Sequence, residues 1–395
     1  MTCKTECTQF DLAMELLIDN GFDGIAETFG LLMNSAMQIE RSRHLKAGLY
    51  ERKDGRLGYA NGYKPKTIKS RFGEVNLAIP QTRDTDFYPK SLERGLRPER
   101  ALKLALAEMY VQGVSTRKVA RITEELCGFG ISSAEVSRAS KNLDEHLQAW
   151  RQRPLGSFPY VYLDARYEKV RHGGVVISSA VLLAIGVNTA GQRAVLGTSV
   201  ALSEHEVHWR DFLGSLKDRG LYGVKLFVSD AHEGLKAARQ AIFPTVPWQR
   251  CQFHLQQNAQ HYVPRRAMKQ EVAERLRSVF TAPTEEEALR LLELFLSDYK
   301  KSAPELVSWA ETAVPEGLEV MKLPQAHRRR LRTVNMLERL NKEIKRRTRV
   351  ATIFPNTASC LRLVSAVAME ISDEWETGRV YLAIDDTRGR HEDRR

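Results

Sequence analysis

Two short stretches, PYVYLDA at 159–165 and KLFVSDA at 225–231, decide the fold of this chain. Each contains an apolar run that is followed directly by an aspartate, Asp164 in the first stretch and Asp230 in the second. Apolar runs of this length predict buried β-strands. Open α/β sheets place their ligand sites at the carboxyl ends of such strands. We therefore expect two carboxylates to lie together at one edge of a sheet.

The segments around these two strands predict the order of the remaining elements. Two more strands are expected at 174–187 and 194–202, joined by the turn NTAGQ. Amphipathic helices are expected at 205–221 and 232–242, and a short fifth strand at 246–254. Three strands, a helix, a strand, a helix and a strand match the order of a ribonuclease-H-like α/β domain.

The expected pairing of Asp164 with Asp230 has a chemical consequence. Two carboxylates within a few ångströms repel each other, and their pKa values rise unless a cation neutralises them. Mg²⁺ prefers oxygen ligands, and two such ions can activate a nucleophile and stabilise the leaving oxygen in phosphoryl transfer. An alternative for Asp230 is that it caps the helix expected directly after it.

A third carboxylate is expected from the segment NMLERLNKEIKRRTR at 335–349. On a helical wheel the apolar residues of this segment form one stripe, and Glu338 lies opposite that stripe while Glu343 lies nearer its edge. The polar face is either solvated or covered by DNA. We expect Glu338 to converge on the aspartates, with Asn335 in support. Glu343 lies beside Arg339, Arg346 and Arg347, and we expect it to form a helical ion pair, with Arg339 and Arg347 at four-residue spacing. The candidate phosphate-binding cations here are Lys342, Lys345 and Arg346.

Cys251 and His254 form a Cys-x-x-His pair at the end of the expected fifth strand. As half of a zinc site the pair lacks partners at ligand spacing. We therefore expect it to support the active site near Asp230.

The N-terminal third is basic and mainly helical. Residues 10–45 predict two amphipathic helices, and 50–84 predict an extended arm. This arm is either a solvated loop with an edge strand or a surface that grips a nucleic-acid backbone, with Tyr59 and Tyr63 able to stack. Residues 91–150 are expected to be helical.

Within that helical region a helix-turn-helix pattern is expected. A first helix from Thr116 ends at Gly128, and Ser132 or Ser133 caps a second helix that would lie in a major groove. The alternative is that these two helices only pack against each other and do not contact DNA. The candidate DNA-binding residues of the N-terminal third are Lys64, Lys66, Arg71, Arg117, Lys118 and Arg138.

The overall composition fits a nucleic-acid partner. Sixty lysines and arginines against 49 acidic residues give a formal net charge of +11, which favours a polyanion. No apolar run is long enough to span a membrane, and no signal peptide is evident, so we expect a cytoplasmic protein. Five irregularly spaced cysteines exclude a disulfide framework.

Taken together, these residues resemble the Mutator-type transposases of bacterial insertion sequences. The matching stretches include NGYKPKT, PQTRD, EMYVQGVSTRKV, VYLDARYEKVR, VSDAHEGLKAA, WQRCQFHLQQN and NMLERLNKEIKRRTRV, which follow one another from about 49 to 356. The resemblance implies a ribonuclease-H-like catalytic domain with an α-helical insertion. It also implies Asp164, Asp230 and Glu338 as the catalytic and metal-binding triad, with a Cys-x-x-His signature on Cys251 and His254.

With this resemblance, we expect a cytoplasmic protein that is associated with the bacterial nucleoid when it is bound to DNA. The expected regions are 1–48, a basic arm and helix-turn-helix at 49–152, a catalytic domain at 153–375 with its insertion at about 255–330, and a charged tail at 376–395. We expect a transposase that uses two Mg²⁺ ions, or Mn²⁺, and binds terminal inverted repeats and target DNA as a homodimer. The alternatives are a nuclease or resolvase of the same fold and a DNA-binding regulator without catalysis.

Overall fold

The computed structural model describes residues 8–48, 51–52, 54–92, 100–141, 143–349 and 352–384. The chain divides into two compact units, Met1–Leu143 and Asp144–Arg395. Helix 144–152 belongs to the second unit, where Arg362 forms two hydrogen bonds of 2.7 and 2.8 Å with Asp144. The two compact units therefore divide before this helix, whereas the regions expected from the sequence divide between 152 and 153.

The first unit begins with a helical hairpin, as expected, and a β-hairpin where an extended arm is expected. Helices α1 (Gln9–Asn20) and α2 (Ile25–Leu45) are joined by a 3₁₀ turn. Strands β1 (Tyr59–Ser70) and β2 (Gly73–Arg83) pair in antiparallel register. The inward side chains of β2 pack with Met37 of α2, so the predicted extended arm is a regular hairpin attached to the helices.

Three helices complete the first unit: α3 (Arg100–Val111), α4 (Thr116–Cys127) and α5 (Ser133–Lys141). Helix α4 ends at Gly128, whose φ of 69° is the left-handed conformation that glycine adopts without strain. The Ser132 hydroxyl accepts from the Glu135 backbone N–H, and Glu135 accepts from the Ser132 N–H, so a capping box starts α5. The predicted helix boundaries are confirmed here, whereas 93–99 lie outside the described residues.

The second unit is a mixed α/β domain. It consists of helix α6 (Asp144–Gln152) followed by β3 (Tyr160–His172), β4 (Val175–Val187), β5 (Arg193–Ala201), α7 (Glu206–Asp218), β6 (Leu226–Ser229), α8 (Glu233–Ile242) and β7 (Trp248–Arg250). The sheet order is β5-β4-β3-β6-β7, with β3, β6 and β7 parallel and β3, β4 and β5 antiparallel. The predicted order of three strands, helix, strand, helix and strand is confirmed.

Strand β3 is longer than predicted. It continues past Asp164 to His172 because it forms a long hairpin with β4, in which Asp164 pairs with Leu183. Only its first part pairs with β6, and that pairing ends at Tyr162 and Val228. The expectation that Asp164 ends its strand is therefore wrong, although the parallel part of the strand does end just before it.

The sheet is covered on both faces. Alternate β3 residues Tyr160 and Tyr162 face one apolar cluster, and Val161 and Leu163 face the other. The first cluster contains residues of two C-terminal helices, and the second contains α7 and α8. This parity directs Asp164 to the same face as Tyr162.

The remaining helices follow the last strand. They are α9 (Gln252–Ala259), α10 (Lys269–Phe280), α11 (Glu285–Tyr299), α12 (Pro304–Ala313), α13 (Gln325–Leu331), α14 (Asn335–Thr348) and α15 (Thr357–Glu376). Helices α9 to α12 share a separate apolar cluster, which agrees with a helical insertion. The strand expected at 246–254 ends at Arg250, so Cys251 is the N-cap of α9 and His254 lies in that helix.

Candidate active site

The parallel register brings the two aspartates together. Each β3 residue pairs with the β6 residue 66 positions later, from Tyr160 with Leu226 to Tyr162 with Val228. Asp164 and Asp230 are also 66 apart, so both lie two positions beyond the last pair and on one face. Burial, with a further contribution from the charge of Asp230, raises the pKa of Asp164 to about 6.

Asp164 is held by two hydrogen bonds. The Asn341 side-chain amide donates to Oδ2 at 2.7 Å, and the Ala165 backbone N–H donates to Oδ1 at 2.9 Å. Both bonds favour the ionised carboxylate and oppose the effect of burial. This role of Asn341 is not among the sequence-based expectations, although its position three residues after Glu338 was an available signal.

Helix α14 lies along the face of β3 that carries Asp164. The Arg166 guanidinium donates to the Asn341 carbonyl at 2.5 Å, and the Thr348 hydroxyl donates to the Glu168 carboxylate at 3.1 Å. Arg166 and Glu168 also form an ion pair at 2.6 Å. Because alternate strand residues all contact one helix, the phase of α14 relative to Asp164 is fixed.

Asp230 has a different set of neighbours. Its Oδ1 lies against Nδ1 of His254, and the thiol of Cys251 completes a group whose donor atoms all lie within 4.8 Å of one another. The hydrogen bonds of His254 to Asp230 and then Cys251 raise the pKa of His254 to about 10. Helix α8 is capped at His232, so Asp230 is not the cap of that helix. The predicted proximity of the Cys-x-x-His pair to Asp230 is confirmed.

The two glutamates of α14 point in different directions. Glu343 pairs with Arg346 at 3.0 Å, whereas Arg339 and Arg347 pair with acidic residues of α15. Glu343 therefore forms a helical ion pair as expected, but with Arg346. Arg339 and Arg347, the partners expected at four-residue spacing, are paired with α15 instead. Asn341 marks the side of α14 that faces Asp164, and at 100° per residue Glu338 is 60° from Asn341 while Glu343 is 160° away.

The donor atoms of this site suit a hard cation. Two carboxylates converge, and the Asn341 Oδ1 atom is buried without a hydrogen-bond partner among the described residues. Carboxylate and amide oxygens are the ligands that Mg²⁺ and Mn²⁺ favour. The Asp230, Cys251 and His254 group offers a second, softer set of oxygen, sulfur and nitrogen donors that would suit zinc.

The candidate DNA-binding residues lie on exposed surfaces in both units. In the first unit Lys64 and Lys66 line a cavity of about 830 Å³, and Arg117, Lys118 and Arg138 are exposed on α4 and α5. Arg71 stacks on the Phe72 ring at 5.3 Å. The Tyr59 and Tyr63 rings each carry an arginine, Arg56 and Arg41, over one face.

The remaining candidates are on α14. Lys342, Lys345 and Arg346 are exposed there, and Lys345 is only 40° from Asn341 on the wheel. Arg346 is the residue that pairs with Glu343. Asn335 is the exposed first residue of α14, and its support of the site stays a prediction.

Fold and site together define a mixed α/β protein with a carboxylate pair at the edge of its sheet. The family described as Transposase, Mutator family, matches residues 1–378. The chain therefore belongs to the Mutator family of transposases. Among its described residues no helix is both long and apolar enough to cross a membrane.

Named relatives match nearly end to end. The transposase for insertion sequence element IS406 of Burkholderia multivorans is 54% identical, over 97% of this chain and 99% of the relative. The transposase for ISRM5 of Rhizobium meliloti is 43% identical, over 98% and 97%. The transposase for IS256 in transposon Tn4001 of Staphylococcus aureus is 36% identical, over 90% and 92%.

Proposed function

We propose that this chain cleaves DNA at the ends of an insertion sequence and joins those ends to target DNA, using Asp164, Asp230 and Glu338. The observation that carries the proposal is the shared 66-residue offset, which puts both aspartates on one face beyond the parallel strands. The strand order and the helical cluster of α9 to α12 support a ribonuclease-H-like domain with an insertion.

Asp164, Asp230 and Glu338 would hold two Mg²⁺ ions, with Mn²⁺ as a substitute. These ions supply charge that stabilises the attacking and leaving oxygens of phosphoryl transfer. Glu338 is assigned because it lies one helical turn before Asn341, on the side of α14 that faces Asp164. Asn341 orients Asp164, and the His254 ring orients Asp230.

The cations of the chain would bind the DNA backbone. Lys342 and Lys345 lie beside the site, so phosphates held by them would be positioned close to the aspartates. In the first unit, α5 would lie in a major groove of the terminal inverted repeat, and Lys64 and Lys66 of the hairpin would contact its backbone. Because two element ends must be brought together, the active species is proposed to be a homodimer.

A strand-transfer assay tests this function and separates it from the alternatives. The full chain is incubated with a labelled terminal repeat, a target plasmid and Mg²⁺. We expect joined products from the wild type and none from Asp164→Asn or Asp230→Asn, while both variants still bind the repeat in a gel-shift measurement. Cleavage without joining would favour a nuclease, and binding without cleavage would favour a regulator.

A further inference from the structure

The α1–α2 hairpin exposes large apolar side chains. Phe10, Met14 and Ile18 recur at four-residue spacing along α1 and are exposed, with Ile18 at 76%. Phe22, in the turn between the helices, is 90% exposed. Ile39 is 53% exposed on α2. Contiguous exposed apolar surface of this kind marks interaction sites in soluble proteins.

These side chains are not the part of the hairpin that forms the core of the unit. Helix α2 uses another face, with Met37 against the buried side of β2. Helix α1 meets α2 through Ala13, whose carbonyl accepts a hydrogen bond of 3.5 Å from the Thr28 hydroxyl. The exposed stripe is thus additional to the surfaces that the fold itself requires.

We propose that two copies of this chain dimerise through antiparallel packing of their α1–α2 hairpins, each Phe22 entering the groove beside Ile39 of the other copy. The proposal locates the interface of the homodimer proposed above and rests on that proposal. Two helical hairpins packed in this way form a four-helix bundle, a common way of burying one apolar stripe per helix. A twofold axis makes the two halves of such an interface identical.

The shape of the hairpin fits this arrangement. A groove of about 630 Å³ lies at its open end, between Gln9 of α1 and Ser35, Ile39 and Arg43 of α2. Phe22 projects at the opposite end, where the two helices are joined. In an antiparallel pair the joined end of one hairpin lies against the open end of the other. Each copy therefore offers one aromatic side chain and one groove.

The charges of the two ends are complementary in the same arrangement. Asp19 and Asp23 are exposed near the joined end, whereas Arg43 and Lys46 are exposed near the open end. Antiparallel packing puts each acidic end against a basic end, and parallel packing would oppose like charges. Helix α1 contains three acidic residues and no basic one, so DNA phosphate is a poor occupant of this face.

The exposed apolar area agrees with a stable dimer. Six side chains, Phe10, Met14, Ile18, Phe22, Leu32 and Ile39, are between 43% and 90% exposed. At about 200 Å² for each fully exposed side chain they offer on the order of 700 Å² per copy. Standard protein interfaces bury about 800 Å² per partner.

The test is the mass of the full chain without DNA, measured by sedimentation over a range of concentrations. We expect the wild type to be a dimer, and we expect Phe22→Glu to raise the dissociation constant of the dimer about 30-fold or more. The matched control is Leu289→Glu. Leu289 lies on α11 and is 44% exposed, so this variant should remain dimeric. Circular dichroism checks that each variant is folded.

A charge exchange makes the test independent of folding. One variant carries Asp19→Lys and Asp23→Lys, and the other carries Arg43→Glu and Lys46→Glu. Each alone opposes like charges and should be monomeric, while an equal mixture should form a mixed dimer. A monomeric wild type, a dimeric Phe22→Glu or a mixture that stays monomeric overturns the proposal. None of these results depends on strand transfer, so the catalytic proposal stands or fails separately.

Discussion

The two aspartates at the sheet edge are held in different ways. Asp164 is half-buried in the middle of a long strand, and its partner is a neutral amide 177 residues later in the chain. Asp230 follows a short strand, its side chain is 42% exposed, and its partner is the His254 ring on the next helix but one. One carboxylate therefore depends on the docking of α14, and the other depends on α9, which begins directly after β7, the strand that pairs with β6.

This difference has an energetic consequence. Burial disfavours the charge of Asp164, and water has little access to this carboxylate. The amide of Asn341 is therefore needed, because water cannot easily replace its hydrogen bond. The Asp230 side chain is 42% exposed, and although the Oδ1 atom that faces His254 is buried, water can solvate the other side of this carboxylate. We therefore expect the Asp164 side of the site to be more sensitive to loss of its partner than the Asp230 side.

The largest effect is expected from Glu338, the glutamate proposed to complete the carboxylate set. Glu338→Gln keeps the shape of the side chain but removes a charge that the proposed metal ions need, so strand cleavage should fall below about a thousandth of wild type. Glu343→Gln is the matched control on the same helix, and it should lose only its ion pair with Arg346. Cleavage rates on a pre-nicked end measure both. A larger loss in Glu343→Gln would reverse the assignment.

The next effect is expected from Asn341. Asn341→Ala removes the donor to Asp164, and loss of a partner that orients a metal ligand commonly costs about 10- to 100-fold in metal affinity or activity. We expect the Mg²⁺ concentration for half-maximal cleavage to rise by that factor, with partial recovery at high Mg²⁺. Glu343→Gln supplies the comparison, since Glu343 lies on the far side of α14 from Asn341. Equal Mg²⁺ curves for Asn341→Ala and wild type would refute the role.

The contrast also shows which parts of the site a sequence can predict. Asp164 and Asp230 were identifiable because each follows an apolar run, and a local apolar pattern predicts where a buried strand lies. The role of Asn341 could not be identified from the sequence, because it depends on how α14 is rotated against β3, and tertiary packing sets that rotation. The extension of β3 to His172 was also missed, since it depends on pairing with β4. In the same way Arg339 and Arg347 pair with α15 and not with Glu343.

A smaller effect is expected from His254. His254→Ala removes the ring that lies against Asp230, but solvent reaches this carboxylate, so we expect a loss of about 10-fold or less in cleavage. His254→Gln, which retains a side-chain donor, should recover most of that loss. The Mg²⁺ dependence should shift less than in Asn341→Ala. A greater shift in His254→Ala would mean that the Asp230 side of the site is the more sensitive one.

The smallest effect is expected from Cys251, and it decides between two uses of the softer donor group. Cys251 is fully buried, and its backbone caps α9, so the side chain contributes mainly packing and a contact with His254. Cys251→Ser nearly preserves the volume, and a buried hydroxyl in place of the thiol should cost about 1–2 kcal/mol of stability. Cleavage by the folded variant should stay within about threefold of wild type, because Mg²⁺ does not require a sulfur ligand.

If instead Cys251, His254 and Asp230 held a structural zinc ion, the purified wild type would contain one equivalent of zinc, and the serine variant would lose both the zinc and the activity. Zinc content measured by mass spectrometry beside the cleavage rate therefore separates a supporting hydrogen bond from a metal site.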